Sequence, residues 1–404
     1  MKNYIVFLSL LVCTLSCKDN SGETKIGSNE VEHINTANSF FVDNEISPRE
    51  LMTDVSYIVL ETDEFFLTEA QKIIEFNNHL LIHDKNKKKL VAFNLDGKFI
   101  QQIGQQGFGP EEYQSVYDFD IDYNNELIYI LSRADMSIIV FDKTFKYLRR
   151  INFDYYPYLM SVLDDGNIAI YQSYDNGGDH NITVIDSNGK IVSERMPYPK
   201  NGTYIATDYT GFLKGQFFTY PFSSIIYRID SKSIVDKAVY KLDFPNKRKE
   251  DSKFEHQSYF YANQQDPSEI LGKFTIGDKN EELMFFYSLK QGGKVSYPIG
   301  IKLKSGQLFS HTNMNHGAYF QNGDIFTDLF LFGFYNLPEF SRTSGFYYVA
   351  TNSEYMTDFF NDKAKYLNDA SKKDPELEQV LVNLMDDKEY SIIMRFKLKP
   401  SYDE

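Results

Sequence analysis

Several side chains stand at spacings that chemistry uses. Asp118, Asp120, Asp122, Asn124 and Glu126 alternate like the oxygen ligands of a calcium loop, because carboxylates and amides at every second position can converge on one hard cation. Tyr123 stands where such a loop needs glycine, and Phe119 and Ile121 alternate with the acids. A half-buried strand with its carboxylates on one face explains the same letters. His79 and His83 share a side of a strand, but four residues of strand span about 13 Å, too far for one metal ion. His311 and His316 bracket a hairpin-like end at which no third histidine or carboxylate is identified. No Ser-His-Asp order, phosphate loop or nucleotide fingerprint is present. No catalytic residue, cofactor or metal is therefore assigned, and the reading leans away from an enzyme.

Binding is the stronger signal. Tyr155, Tyr156, Tyr158 and Tyr174 sit in loop-like stretches, and a ring with a polar tip can stack on a sugar face or anchor a peptide. Arg133, Arg228 and Arg342 lie near strand ends or in loops, where a guanidinium can take a carboxylate bidentately. Tyr155, Tyr156, Tyr158, Tyr174, Arg133 and Arg228 are the candidate ligand-binding set. About two thirds of such loop rings are expected instead to pack between blades or beneath loops.

These groups need a scaffold. The chain has 404 residues, with 42 Lys plus Arg against 57 Asp plus Glu, a formal charge of -15. Nothing offsets that charge with a basic stripe, so nucleic acid is not an expected partner. Tyr (30) and Phe (34) are abundant and Trp is absent, a composition that suits sheet surfaces. From Val55 onward, short β-like runs are broken by turn residues, as in a sandwich, barrel or propeller.

Periodicity chooses among these. The strand ends at residues 138–142, 182–186 and 226–230 have one form, a mainly apolar run closing on Asp, and step by 44 residues; 90–94 is an earlier copy ending on Asn94. Turns follow, as in Leu95-Asp96-Gly97-Lys98 and Ser187-Asn188-Gly189-Lys190. A period in the forties with several strands per unit marks propeller blades. The register fades after about Lys241. Residues 246–268 read as an insertion across one face, and residues 354–386 as a short helical pair, with Asp374-Pro375-Glu376 a good helix start. Ser391 to Leu398 resumes as a strand whose natural partner is Val55 to Leu60, closing the ring.

Gly104-Gln105-Gln106-Gly107-Phe108-Gly109-Pro110-Glu111-Glu112-Tyr113, set between two blade hairpins, is similar to the signature of the six-bladed β-propeller family of bacterial lipoproteins, relatives of NHL-repeat propellers. The resemblance runs from about Val55 to Lys399. It implies an all-β fold of six four-stranded blades and a binding or scaffolding role in the cell envelope, with no shared catalytic set. Gly104, Gly107, Gly109, Pro110, Glu111 and Tyr113 form a structural signature, since three glycines in six residues and a proline suit a tight inter-blade connection.

Met1 to Cys17 reads as an export signal: Lys2, an apolar run from Tyr4 to Leu15, then Ser16 before Cys17. Leu15-Ser16-Cys17 resembles the end of a lipobox, making Cys17 the lipidated residue and the lipid the only membrane attachment. Cys13 would leave with the signal, so the mature domain has no thiol for disulfides or zinc. Residues 18–45 are polar and read as a flexible tether, and 46–400 as the propeller. The expected protein is an outer-membrane lipoprotein capturing a glycan or peptide. The alternatives are a scaffold docking an outer-membrane protein through the 246–268 insertion, and a metal-dependent lyase or hydrolase at the propeller mouth.

Overall fold

Each repeat read in the sequence folds as a four-stranded antiparallel sheet in which the chain steps from an inner strand outward. The computed structural model describes residues 31–36, 40–41, 48–172, 180–197, 212–219, 223–231, 236–245, 268–296, 298–311, 337–351, 367–368, 374–384 and 390–402. Blade 1 comprises Ala70–Phe76, His79–Asp84, Lys89–Asn94 and Phe99–Gln102. Blade 2 comprises Asp118–Asp122, Leu127–Ser132, Ser137–Asp142 and Tyr147–Asn152. Blade 3 comprises Leu159–Val162, Ile168–Tyr171, His180–Ile185 and Ile191–Pro197. Blade 4 comprises Phe212–Lys214, Phe217–Thr219, Ile225–Arg228 and Lys237–Asp243, and blade 5 is built on Ser268–Ile276, Leu283–Gln291, Ile299–Lys302 and Leu308–His311. Blade 6 takes Glu339–Phe340, Tyr347–Ala350 and Ile392–Leu398 from late in the chain and Met52–Val59 from its start. The protein is a six-bladed β-propeller.

The repeated strand ends of the sequence are the third strands of blades 1 to 4, and their turns work as the residue types require. The Asn94 side-chain oxygen accepts from the amides of Asp96 (3.1 Å) and Lys98 (2.8 Å). Asp186 does the same for Asn188 and Lys190, both at 2.9 Å. Gly97 takes φ +87°, and a Cβ there would lie 2.2 Å from the Val59 carbonyl oxygen, so the turn of blade 1 fits against the closing strand only as glycine. Closure itself pairs Ile392–Leu398 antiparallel to Met52–Val59, the partnership expected from the sequence.

Apolar alternation in the strands fills the spaces between neighbouring blades. Ile74, Leu81, Ala92, Phe119, Ile121, Ile130 and Ile139 pack blade 1 on blade 2, and Tyr129, Leu131, Val140, Met160 and Ile170 pack blade 2 on blade 3. One helix near the C-terminus, Pro375–Val382, starts where the sequence places it. Asp374 caps it by accepting from the Leu377 amide at 3.1 Å, and Leu377 and Leu381 are buried against blade 6. Of the first expected helix only residues 367–368 are described, and they are helical. Residues 246–267 of the expected insertion lie outside the described residues.

One feature departs from the expected tether. Within residues 18–45, Glu32–Asn35 pairs parallel to Lys237–Asp243 on the outer edge of blade 4, and Phe40–Phe41 pairs parallel to Leu308–His311 on that of blade 5. The chain is thus engaged with the propeller from Glu32, well before Val55. A polar stretch with single apolar residues hides such strands, because edge pairing draws on backbone hydrogen bonds more than on side-chain pattern. No helix among the described residues is long and apolar enough to cross a membrane.

Candidate functional site at the propeller mouth

Strand direction sorts the loops onto two faces. Turns between first and second strands, and between third and fourth, lie on one face, here the hairpin face. Turns between second and third strands, and the links between blades, lie on the other, the connection face.

The acidic row of blade 2 lies inside the ring and is fully engaged. Asp118 accepts from the Met160 amide at 2.9 Å and from the Lys72 ammonium at 3.1 Å, and Asp120 accepts from the Val162 amide at 2.8 Å. Two carboxylates of one inner strand therefore satisfy amides of the next, joining blades 2 and 3. Asp122 instead takes the Asn124 and Asn125 amides of its own turn. The alternating acids are strand residues with separate partners, not ligands converging on one point. Among the described residues no group of three or more His, Asp or Glu side chains is placed to hold a metal ion. His79 packs its ring on Phe145, and His83 is buried with Nε2 3.1 Å from the Val116 carbonyl oxygen. His316 lies outside the described residues.

On the connection face, the Arg133 guanidinium sits over the rings of Tyr117 (5.1 Å) and Tyr158 (5.7 Å) and donates to the Tyr117 hydroxyl at 3.3 Å. Tyr155 stacks on Phe153 at 4.9 Å, and Tyr156 is 54% exposed. The structure thus brings Arg133 and Tyr158 together, adds Tyr117, and leaves Tyr156 open to solvent nearby in sequence. Tyr174 and Cys17 lie outside the described residues.

The signature loop is on the same face. Gly104 has φ +68°, and a Cβ there would lie 2.8 Å from the buried Tyr113 ring. Gly107 and Gly109 wrap the Glu112 carboxylate, which accepts from the Gly109 amide at 2.8 Å. Arg150 donates to the carbonyls of Gly109 and Pro110, both at 3.3 Å, and to that of Glu112. Glu111 is exposed. The loop so held leaves the Phe108 side chain 90% exposed.

Arg228 belongs to the opposite, hairpin face, where it ends the third strand of blade 4. There Asp164, in the first turn of blade 3, receives three donors. Arg342 from the first turn of blade 6 lies at 2.7 Å, Gln216 from the first turn of blade 4 at 2.5 Å, and Arg228 at 3.4 Å. Arg228 also donates to the Gln216 amide oxygen at 3.1 Å. Blades 3 and 6 stand opposite each other in a six-membered ring, so the Arg342–Asp164 pair bridges the mouth of the central channel. Just inside, Lys214 of blade 4 pairs with Glu339 of blade 6. Burial alone would raise the Asp164 carboxyl, but the hydrogen bonds of Arg342 and Gln216 and the two guanidinium charges hold it below the usual carboxylate range.

A cavity of about 650 Å3 opens beside this cluster, walled by the first turns of blades 4, 5 and 6, among them Gln216, Lys279, Asn280, Arg342, Thr343 and Ser344. A second, of about 850 Å3, lies between blades 3 and 4 and shares Asp164 and Gln216. Polar groups from separate blades thus converge on a concavity of a size that small-ligand sites commonly have. Asp164, Gln216 and Lys279 were not singled out in the sequence. Repeat logic carries the signal: Asp164-Asp165 occupies in blade 3 the turn that Asn77-Asn78 and Asn124-Asn125 occupy in blades 1 and 2, so all three turns share one face.

The family model described as Domain of unknown function (DUF4934) matches residues 31–394. Among solved structures, an exported-type protein of Bacteroides fragilis NCTC 9343 superposes with a TM-score of 0.67 at 19% identity, covering 92% of this chain and 100% of that one. A member of the DUF4221 family from Bacteroides vulgatus gives 0.52 at 11% identity, covering 87% and 98%. At such identities the likeness speaks for the fold. No curated protein matches the sequence.

Proposed function

Given that the chain belongs to the family described as Domain of unknown function (DUF4934), we propose that it is a noncatalytic binding propeller of the cell envelope that captures a glycan or peptide ligand at the hairpin-face mouth. The observation that carries this reading is the meeting of Asp164, Gln216 and Arg342, from three blades, beside a cavity of ligand size. An envelope location is supported by the signal-like N-terminus ending at Cys17 and by the exported-type name of the B. fragilis neighbour. In this reading lipid on Cys17 is the only membrane attachment.

Thermal melts of the purified protein against oligosaccharides, short peptides and divalent metals test it. A ligand at about 100 times its dissociation constant adds ~2.7 kcal/mol, a shift easily resolved. A sugar or peptide that raises the melting temperature of the parent protein, but not of a Gln216→Ala variant, is the expected outcome. A shift with metals alone, or with nothing, overturns ligand capture. The second reading, a scaffold docking an outer-membrane protein, draws support from Phe108, a large apolar side chain held open to solvent by a loop that Arg150 fastens.

A further inference from the structure

The charge of the hairpin-face cavity opposes that of the molecule. The chain carries -15 overall, yet the charged side chains of the 650 Å3 cavity are Lys279, Lys304, Arg342 and Lys397 against Asp164 and Glu282. The adjoining 850 Å3 cavity has the other sign, with Asp164, Asp165, Asp230 and Asp236 against Arg228 and Lys237. A basic concavity in an acidic surface concentrates anions at one place and repels them elsewhere.

Not all of its cations are equally committed. Lys304 lies 3.7 Å from Glu282, and Lys397 pairs with Asp54 at 3.1 Å and covers the Phe346 ring. Arg342 is exposed and spends one of its five N–H donors, on Asp164. Lys279 is exposed and has no ion pair among the described residues. It is held at φ +50°, with Asn280 at φ +62°, so two consecutive left-handed residues present it at the cavity wall. The remaining polar wall is made of amides and hydroxyls: Gln216, Asn280, Thr343 and Ser344.

Resting on the binding reading above, we infer that the captured ligand is a glycan bearing a carboxylate, a uronate, with the carboxylate received by Arg342 and Lys279. The geometry around Asp164 shows that the mouth already organises two guanidiniums about a planar carboxylate, which favours this group over a tetrahedral anion. Amide and hydroxyl side chains around the rest of the cavity match the many hydroxyls of a sugar, where a peptide backbone would ask for regularly spaced partners.

The test titrates the full chain calorimetrically with trigalacturonate and with its fully methyl-esterified form, which keeps the sugar skeleton and removes the charge. The acid is expected to bind at least about tenfold more tightly than the ester, with affinity falling as salt rises. Lys279→Gln, an exposed change that leaves the melting temperature in place, is expected to weaken the acid about fivefold and leave the ester alone. Arg342→Gln is expected to do the same or more, with its fold checked by the same melt. Equal binding of acid and ester overturns the uronate inference while ligand capture stands. Binding of trialanine through its C-terminal carboxylate, in place of the sugar acid and with the same Lys279 dependence, overturns the glycan assignment. Binding of neither form overturns the inference, and the wider melting panel then decides whether the mouth binds anything.

Discussion

His83 shows how one buried side chain ties this fold to pH. It is 2% exposed, its Nε2 lies against the Val116 carbonyl, and its Nδ1 has no hydrogen-bond partner among the described residues. The ring is therefore neutral with its proton on Nε2. Burial lowers its pKa to about 4, outweighing the pull of the Asp118 charge and of the Val116 carbonyl. In the unfolded chain the value is about 6.5. Because the folded value is the lower one, the unfolded chain takes up the proton first as pH falls. The contribution is complete above about pH 6.5 and is lost between there and about pH 4. Replacing His83 with Gln, which can still donate to Val116, is expected to flatten the fall in stability across that window by about 1–3 kcal/mol. Urea unfolding of both proteins at neutral pH and near pH 4.5 reads this directly, and parallel losses in the two would contradict it.

At the scale of elements, the C-terminal helix is fixed by one carboxylate that works in two directions. Asp374 caps Pro375–Val382 through the Leu377 amide, and its other oxygen receives the Tyr57 hydroxyl at 2.6 Å and the Arg49 guanidinium. Tyr57 belongs to the closing strand and Arg49 to the short 3-10 helix Pro48–Leu51 before it, so the cap also fastens the helix to the seam of the ring. Burial would raise the Asp374 carboxyl, but the bonds from Tyr57, Arg49 and Leu377 prevail and hold it low. Asp374→Asn keeps an acceptor for the helix but removes the negative charge that faces Arg49 and Tyr57, and is expected to cost about 1–3 kcal/mol at neutral pH. A carboxyl with a lowered folded value stabilises above its unfolded value near 3.9 and loses that effect as pH falls through the folded one. The gap between parent and variant should therefore shrink in acid. Guanidinium unfolding at pH 7 and pH 3 checks both statements, and a variant within about 0.5 kcal/mol of the parent at pH 7 would refute the first.

The same element shows what sequence reading reaches. Asp374-Pro375-Glu376 announces a helix start because capping and proline placement are local chemistry, and the turns after Asn94, Asp142 and Asp186 are legible for the same reason. Blade number and closure follow from period and resemblance. What stays hidden is long-range partnership. Nothing near Arg49 tells that it meets a carboxylate 325 positions later, and nothing near Asp164 tells that Arg342 crosses the mouth to it. The tyrosines and Arg228 are grouped by residue type and a place in loops or at strand ends. Type cannot distinguish the two faces, whereas the place of a residue within its blade repeat can.

At the scale of the whole molecule, the ring depends on its N-terminal stretch at three successive blades. Met52–Val59 completes blade 6, Phe40–Phe41 lines the edge of blade 5, and Glu32–Asn35 that of blade 4. The last is anchored by more than its backbone. Ile34 is buried with Tyr240 and Leu242, His33 Nδ1 lies 2.8 Å from Asp243, and Glu32 pairs with Lys302 of blade 5 at 3.0 Å. This stretch covers a strand edge that would otherwise offer unpaired amides and carbonyls to another chain, a known route to association. Removing residues 1–36 is expected to uncover Lys237–Asp243 and the apolar seat of Ile34 while leaving the closing strand in place. The loss of one buried isoleucine and its pairing comes to about 2 kcal/mol, a fall of several degrees in the melting temperature. Exposed edges also seek partners, so the truncated protein should show a mass that rises with concentration in light scattering, beyond any rise seen for the full chain. If it melts and scatters as the full chain does, the strand on blade 4 adds nothing to the stability of the ring or to the protection of its edge.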